Sequence, residues 1–355
     1  EFSPHKCTYM IFPYRTDNWP NKALAAQEVF CDIAKRIAHF EPVKILVPKP
    51  FMALAQTLLK AAPENLQIFE CDSDDAWARD TGATFIINNK GDMRAIDWKF
   101  NAWGGNVDGL YDSWDKDDLI AEKMCEIEKV DYYRADDFVL EGGSIHVDGQ
   151  GTLLTTAPCL LSKGRNPHLT KAEIENKLKQ YLNVKKIIWL PAGIYEDETN
   201  EHVDNICCFV KPGEVLLAWT DDKNDPQYEM SKKCYEFLSN ETDALGRKFI
   251  IHKIILPSVQ NRTFAESVSV EKSAKSKARM AGERLSASYV NFYILNGAII
   301  APIFKDPNDD RACAALEELF YPRRIVPVYS RDILVGGGNI HCITQQVPDP
   351  LKWEK

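Results

Sequence analysis

The sequence has no apolar run approaching the roughly 20 residues needed to span a bilayer, so no transmembrane helix is expected. It opens without a basic region followed by a hydrophobic stretch, and no secretory signal is read there. No dense Lys/Arg block stands out in a chain of net charge −9. That argues against a nucleic-acid partner and is compatible with a cationic substrate. None of the ten cysteines forms a C-x-x-C pair, and no Cys/His cluster has zinc spacing. Neither a metal nor another cofactor is expected. Most cysteines (Cys7, Cys31, Cys71, Cys125, Cys234, Cys313) sit in apolar patterns. Reduced structural thiols in the cytosol are the expectation.

What is present is an ordinary globular composition, 45% hydrophobic and 27% charged over 355 residues, enough for one large domain or two smaller ones. One pattern recurs: an apolar strand, a polar cluster, a hairpin, and usually a helical segment. The hairpins pair Thr84–Asn88 with Met93–Trp98 across Asn89-Lys90-Gly91, and Ser144–Val147 with Thr152–Thr156 across Asp148–Gly151. Asn205–Val210 pairs with Glu214–Thr220 across Lys211-Pro212-Gly213, and Ser288–Leu295 with Ala298–Phe304 across Asn296-Gly297. The fifth begins at Asn339–Thr344. Asn-Gly, Asp-Gly and Pro-Gly between β-branched runs are hairpin signals.

Leading strands are read at Val43–Val47, Leu66–Phe69, Lys186–Leu190, Lys248–Leu256 and Arg324–Val328. Helical periodicity marks Lys22–His39, Phe51–Ala61, Asp117–Glu128, Lys171–Leu182, Gln227–Ser239 and Asp310–Phe320. About five ββα-type units predict an α/β fold, a closed five-bladed propeller-like array. Its polar clusters would then face one central channel.

Those clusters carry the chemistry. They are Trp77–Gly82, Leu140–Ser144, Glu196–Asn205 and Gly336–Gln346. Cys342 follows three glycines and opens a short β-type run, Cys342–Thr344, as a nucleophile would at a strand end; alternatively it is a small buried hydrophobe. Carboxylates Asp80, Glu141, Asp197, Glu198 and Asp204 disfavour a thiolate unless a cation binds among them. A guanidinium, planar with five donors, fits that role, and two flanking carboxylates would expose its carbon to the thiolate. His202 and Asp204 are two apart and would share a face of a strand. His202 could protonate the departing amine and then deprotonate water. His146 and His341 read as structural, Glu196 and Glu201 as a solvated turn. Trp103 either lines the site or packs. The charged stretch Phe264–Gly282 reads as a solvated loop, with a lid as the alternative.

Taken together, Trp-Ala-Arg-Asp-Thr-Gly, Glu-Gly-Gly, Asp-Glu-Thr-Asn-Glu-His-Val-Asp-Asn and Gly-Gly-Gly-Asn-Ile-His-Cys-Ile-Thr-Gln-Gln resemble the agmatine deiminases of the guanidine-modifying superfamily. The resemblance runs from Tyr14 to the C-terminus, and the stretches Arg284–Tyr293 and Trp219–Asp222 look closest to plant-type members. It implies a five-bladed α/β-propeller in a single domain over 1–355, usually homodimeric, hydrolysing agmatine to N-carbamoylputrescine and ammonia in polyamine biosynthesis. It also implies Cys342 as the nucleophile of an amidino-cysteine intermediate and His202 as acid/base beside Glu141. Asp80 and Asp204 would hold the guanidinium, Glu198 with Asp197 would face the substrate's amine, and Trp77 would line the channel. Ala83 after Gly82, where proline is usual, and Phe12 before Pro13, where tryptophan is usual, depart from the pattern beside the motifs. Free or peptidyl arginine, amidinotransfer, and silent binding of a guanidino compound are the alternatives.

Overall fold

The computed structural model describes residues 1–88 and 90–352, so Asn89 of the first expected turn lies outside the described residues. Five small sheets repeat one pattern. A first strand pairs antiparallel with a second, a helical crossover follows, and a third strand returns parallel to the second. The clearest case runs Cys207–Lys211, Glu214–Trp219 and Ile250–Ile255, with helix Pro226–Asn240 as the crossover. The same order recurs in Thr84–Ile87, Met93–Lys99 and Tyr132–Val139; in His146–Val147, Thr152–Thr156 and Lys186–Leu190; and in Tyr293–Leu295, Ala298–Ile303 and Arg324–Tyr329.

The remaining sheet joins the two ends of the chain. Gln345–Pro348 pairs antiparallel with His5–Ile11, which runs parallel to Val43–Val47 and then Leu66–Glu70. The fifth unit therefore borrows its first strand from the C-terminal segment. That strand starts at Gln345, not at Asn339, because Ile340–Thr344 coils in a turn. His5–Ile11 carries no local turn signal of its own, and sequence reading passed over it.

Local chemistry explains the elements. Positive φ at Gly213 (83°) and Gly297 (76°) closes two of the hairpins, a conformation costly for a residue with a Cβ. Helix Lys171–Leu182 starts from a Thr170/Glu173 capping box, a device contributing about 1 kcal/mol. Helix Pro226–Asn240 begins with proline after Asp225 and buries Gln227, Ser231, Cys234 and Leu238, one stripe at helical spacing. Central strands such as Val215–Ala218 are covered on both faces and buried throughout, as parallel pairing under helices requires. Expected strands shorten where polar clusters adjoin them. Ser144 belongs to a 3-10 turn, Gly142–Ser144, and Ser288–Phe292 precedes its strand as loop.

A two-stranded ladder, Gln260–Asn261 with Arg284–Leu285, closes the base of the 264–282 excursion. Its path is tied down by backbone bonds, from Glu271 N to Thr16 O (2.9 Å), Lys277 N to Leu110 O (2.8 Å) and Asp112 N to Lys275 O (2.8 Å). No helix among the described residues is long and apolar enough to cross a membrane.

Candidate active site

Each polar cluster forms a short turn just ahead of the first strand of its sheet. Trp77 precedes helix Ala78–Thr81, Glu141 precedes the 3-10 turn Gly142–Ser144, and His202 precedes helix Val203–Ile206. His202 and Asp204 therefore do not share a strand face as expected. Strand geometry begins only at Cys207, and a helical turn delivers both side chains. Cys342 likewise stands in a turn three residues before its strand, fixed by Arg79 N donating to Cys342 O (3.1 Å). Four residues of tight turn satisfy their own backbone and free the side chains to converge.

Cys342 is 6% exposed at the floor of a cavity that Trp77, Asp80, Trp103 and His202 also line. Its Sγ lies 3.6 Å from Asp204 Oδ2 and accepts from Asn291 Nδ2 at 3.3 Å. Asp80 sits across from it, its carboxylate accepting from Gly143 N (2.8 Å) and Trp103 Nε1 (2.9 Å). Of the two readings of Trp103, the structure selects the lining one. His202 places Nδ1 4.0 Å from Asp80 Oδ2 and Nε2 3.7 Å from Glu141 Oε2. A Cβ on Gly143 would fall 2.6 Å from His202 Nδ1 and 2.9 Å from carboxylate oxygens of Asp80 and Asp204, so glycine alone lets the three approach.

The charges are held by partners that sequence reading missed. Arg165, fully buried, donates to Glu141 Oε1 (2.6 Å), Asn200 Oδ1 (2.6 Å) and Thr199 O (2.8 Å), and also to Trp103 O. It locks the acidic loop onto the floor of the site. Burial alone would push Glu141 up, but Arg165 and His202 hold it below the usual range. His341, expected to be structural, shares Asp204 Oδ2 (2.9 Å) and hands its other nitrogen to Glu1 (2.9 Å). Against the effect of burial, His341 holds Asp204 down. Asp80 is pushed up to about 6, first by burial and then by Asp204 and Glu141, with His202 opposing. Burial disfavours a charged His202, yet Asp80, then Cys159 and Glu141, overcome it and raise its pKa well above the ordinary value. The Cys342 thiol is raised by burial, then by Asp204 and Asp80. A cation bound between the two carboxylates reverses that last effect.

Asn291 is the other missed residue. It holds Cys342, donates to Asn205 Oδ1 (2.9 Å) and accepts from His341 N (3.0 Å). It comes from the fourth unit, where an apolar run hid the cluster; the repeat itself was the signal, since a fourth contributor was due just ahead of Tyr293–Leu295. Trp77 stacks on Trp19 at 5.3 Å and donates to Asp75 Oδ2 (3.0 Å), which fixes the cavity's aromatic wall.

The outer end departs from expectation. Glu198 does line the cavity, but Arg279 grips it at 2.6 and 2.8 Å and Lys277 stands 3.3 Å away. Those cations hold it low against burial. They come from the 264–282 stretch, which is thus part of the wall and not merely a solvated loop. Asp197 does not line the cavity; it accepts from Asn205 Nδ2 (2.8 Å) and from Thr199 N and Oγ1 (3.0 and 2.8 Å), a structural knot of the loop. Glu196 is exposed, as expected of a solvated turn, whereas Glu201 accepts from Gly193 N (2.5 Å). His146 is buried and accepts from Phe209 N (3.2 Å), in keeping with a structural role.

A thiol, a histidine held protonated and a carboxylate lining one small cavity, with a second carboxylate against the thiol, can cleave a C–N bond of a bound planar cation. Residues 1–348 match the Porphyromonas-type peptidyl-arginine deiminase family. The chain belongs to it. Within that family the chain is 52% identical to the agmatine deiminase of Pseudomonas aeruginosa, covering 99% of this chain and 95% of that one. It superposes on the agmatine deiminase of Enterococcus faecalis with a TM-score of 0.95, at 47% identity over 98% and 94% of the two chains. A cysteine-to-serine variant of C. jejuni agmatine deiminase with substrate bound is similar at a TM-score of 0.82 and 29% identity, over 98% of this chain and 94% of that one. The chain thus shares its fold with solved agmatine deiminases.

Proposed function

We propose that this protein hydrolyses agmatine to N-carbamoylputrescine and ammonia in polyamine biosynthesis, through an amidino-cysteine on Cys342. The observation that carries this is the convergence of Cys342, Asp80 and His202 on one cavity, with Asp204 against the Cys342 sulfur. Asp80 and Asp204 flank the guanidinium and lower the cost of forming the Cys342 thiolate once that cation is bound. The Cys342 thiol gives up its proton to solvent as the cation binds, and the thiolate attacks the guanidinium carbon. Protonated His202 gives its proton to the departing nitrogen, ammonia leaves, and a C–S bond remains in a cationic amidino-cysteine. Neutral His202 then takes one proton from the attacking water. Collapse of the adduct breaks the C–S bond, returns the thiolate and frees the carbamoyl product, and the second proton passes to solvent, where it converts the released ammonia to ammonium. Glu141 keeps His202 oriented, and Trp77 lies along the substrate's chain.

Agmatine is favoured over free or peptidyl arginine by the cavity's outer end. Glu198 is partly buried there, and its two cations are already paired with it, so an incoming carboxylate would have to displace Glu198 to reach them. The five sheets are read as the blades of one propeller-shaped domain over the whole chain, whose axis runs through the cavity. Ten free thiols support a cytosolic setting, and a homodimer is the assembly expected in solution. The deciding experiment measures ammonia release from agmatine, arginine and a blocked arginine peptide. Agmatine should be preferred by orders of magnitude, and mass spectra of quenched enzyme should carry the amidino adduct on Cys342. Preference for either arginine substrate, or an adduct on another cysteine, overturns the reading.

A further inference from the structure

Three buried side chains converge behind the cavity face of His202. A ring nitrogen of His202, a carboxylate oxygen of Glu141 and the sulfur of Cys159 lie within 4.8 Å of one another. His202 Nε2 and Glu141 Oε2 face each other at 3.7 Å as a charge pair, a separation too long for a hydrogen bond, and neither atom makes one elsewhere. Buried polar atoms without partners are rare in native folds and call for an explanation. Cys159 does not line the cavity and has no part in the deimination scheme. It stands on the short helix Ala157–Leu160, capped by Thr156. Thr156 also donates to Glu201 O (2.6 Å), so the turn bearing Cys159 is tied to the residue just before His202.

The spacing suits a metal ion. Three atoms no more than 4.8 Å apart fit in a circle of about 2.8 Å radius (4.8/√3). Zinc–ligand distances are about 2.0–2.3 Å, so a closure of about 0.5–0.8 Å per ligand completes the site. Imidazole, thiolate and carboxylate together are the donor set of zinc and its transition-metal neighbours, not of magnesium or calcium. Arg165 occupies Glu141 Oε1 and leaves Oε2 to the ion, as an outer partner that fixes a ligand's direction does in known sites.

We propose that Glu141, Cys159 and His202 form a site for a zinc-class divalent cation whose occupancy inhibits the enzyme. Binding removes the thiol proton from Cys159 and requires His202 to be unprotonated at the coordinating nitrogen, so protons are released and affinity rises with pH. A coordinated His202 cannot shuttle the proton that ammonia release needs. The inhibitory consequence rests on the role proposed for His202; the binding itself does not.

The test uses Co2+ as the probe, because a cobalt–thiolate bond shows a sulfur-to-metal charge-transfer band in the near ultraviolet. Wild type and Cys342→Ser should both develop the band with one Co2+ per chain, and Zn2+ should raise the unfolding temperature of both. Cys159→Ser and Cys159→Ala should lose the band and the thermal shift. Their sensitivity to Zn2+, referred to each variant's own uninhibited rate of ammonia release, should fall at least tenfold. No band in wild type overturns the proposal. So does a band that survives in the Cys159 variants and disappears in Cys342→Ser, which would put the metal on the nucleophile. If the band follows Cys159 while agmatine is not turned over, the metal site stands and the activity reading fails.

Discussion

The two ends of the cavity handle charge in opposite ways. At the floor, Asp204 Oδ1, Glu141 Oε2 and His202 Nε2 are buried without hydrogen-bond partners, around a thiol made less acidic by its neighbours. At the mouth, Glu198 has every opportunity satisfied by Arg279 and Lys277, and Asp197 is spent inside its own loop. Unsatisfied charge costs stability, and a fold tolerates it where a ligand is to complete the set. The floor is poised for a cation; the mouth already has Glu198 paired with two cations and can discriminate only by what it refuses to give up.

The hardest way to break this contrast is to remove the thiol. Cys342→Ser should reduce ammonia release from agmatine by at least about 10³-fold, since a serine hydroxyl ionises far less readily and no side chain is set to remove its proton. Agmatine should still raise the unfolding temperature of the variant, because the carboxylates remain. Activity within tenfold of wild type would remove the nucleophile from Cys342.

Next come the two flanking carboxylates. Asp80→Asn and Asp204→Asn should each lower kcat/KM for agmatine by about 2–4 kcal/mol, the scale of one preorganised electrostatic contact. Their effects on the free enzyme's stability should differ in sign. Asp80, pushed up to about 6, binds its proton more tightly when folded, so wild-type stability falls as pH rises from about 4 to about 6. Above that window Asp80→Asn should therefore be the more stable protein, by up to about 3 kcal/mol. Asp204, held low by His341, contributes stability above the unfolded carboxylate range and loses it in acid, so Asp204→Asn should destabilise at neutral pH. Chemical denaturation at pH 4 and pH 8 reads both signs, and the same sign for both variants would refute the assignment.

The floor was largely legible in the sequence, and the mouth was not. Asp80, Glu141, His202 with Asp204, and Cys342 each lie in a contiguous polar stretch next to a hairpin, so their convergence followed from the repeat. Their backbone was misread because a four-residue helical turn leaves no periodicity to detect before a strand takes over. Glu198 finds its main partner at Arg279, remote along the chain, and a run without its own Lys or Arg looked like an acidic wall. Asn291 lay inside an apolar run, and the strand pair His5–Ile11 with Gln345–Pro348 joins opposite ends of the chain. Apart from those local turns, what sequence reading missed was set by partners remote along the chain.

Glu198→Gln sharpens the mouth. Losing this charge frees Arg279 and Lys277 to face the substrate's tail, where agmatine carries an ammonium and arginine a carboxylate. The kcat/KM for agmatine should fall and the gap to arginine should narrow by about 1–3 kcal/mol, the range for a buried charged partner left unpaired. Thermal unfolding of the same variant separates this from a general loss of fold. An unchanged agmatine-to-arginine ratio would mean that the tail is read elsewhere.

Lys277→Met should have the smallest effect, and its direction is opposite. The Lys277 side chain is 45% exposed and reaches Glu198 at 3.3 Å, whereas Arg279 is 6% exposed and also bonds Asn18 and Gly336 O. Half-exposed pairs contribute about 0.2–1 kcal/mol and are screened by salt. With Lys277 gone, Glu198 is less fully neutralised, so the mouth becomes slightly more attractive to an ammonium and less so to a carboxylate. KM for agmatine should fall by no more than about fivefold at low ionic strength, and the difference should fade at about 0.5 M salt. A rise in KM, or a change of tenfold or more that persists in salt, would place Lys277 directly against the substrate and make the mouth an active participant, not a neutral gate.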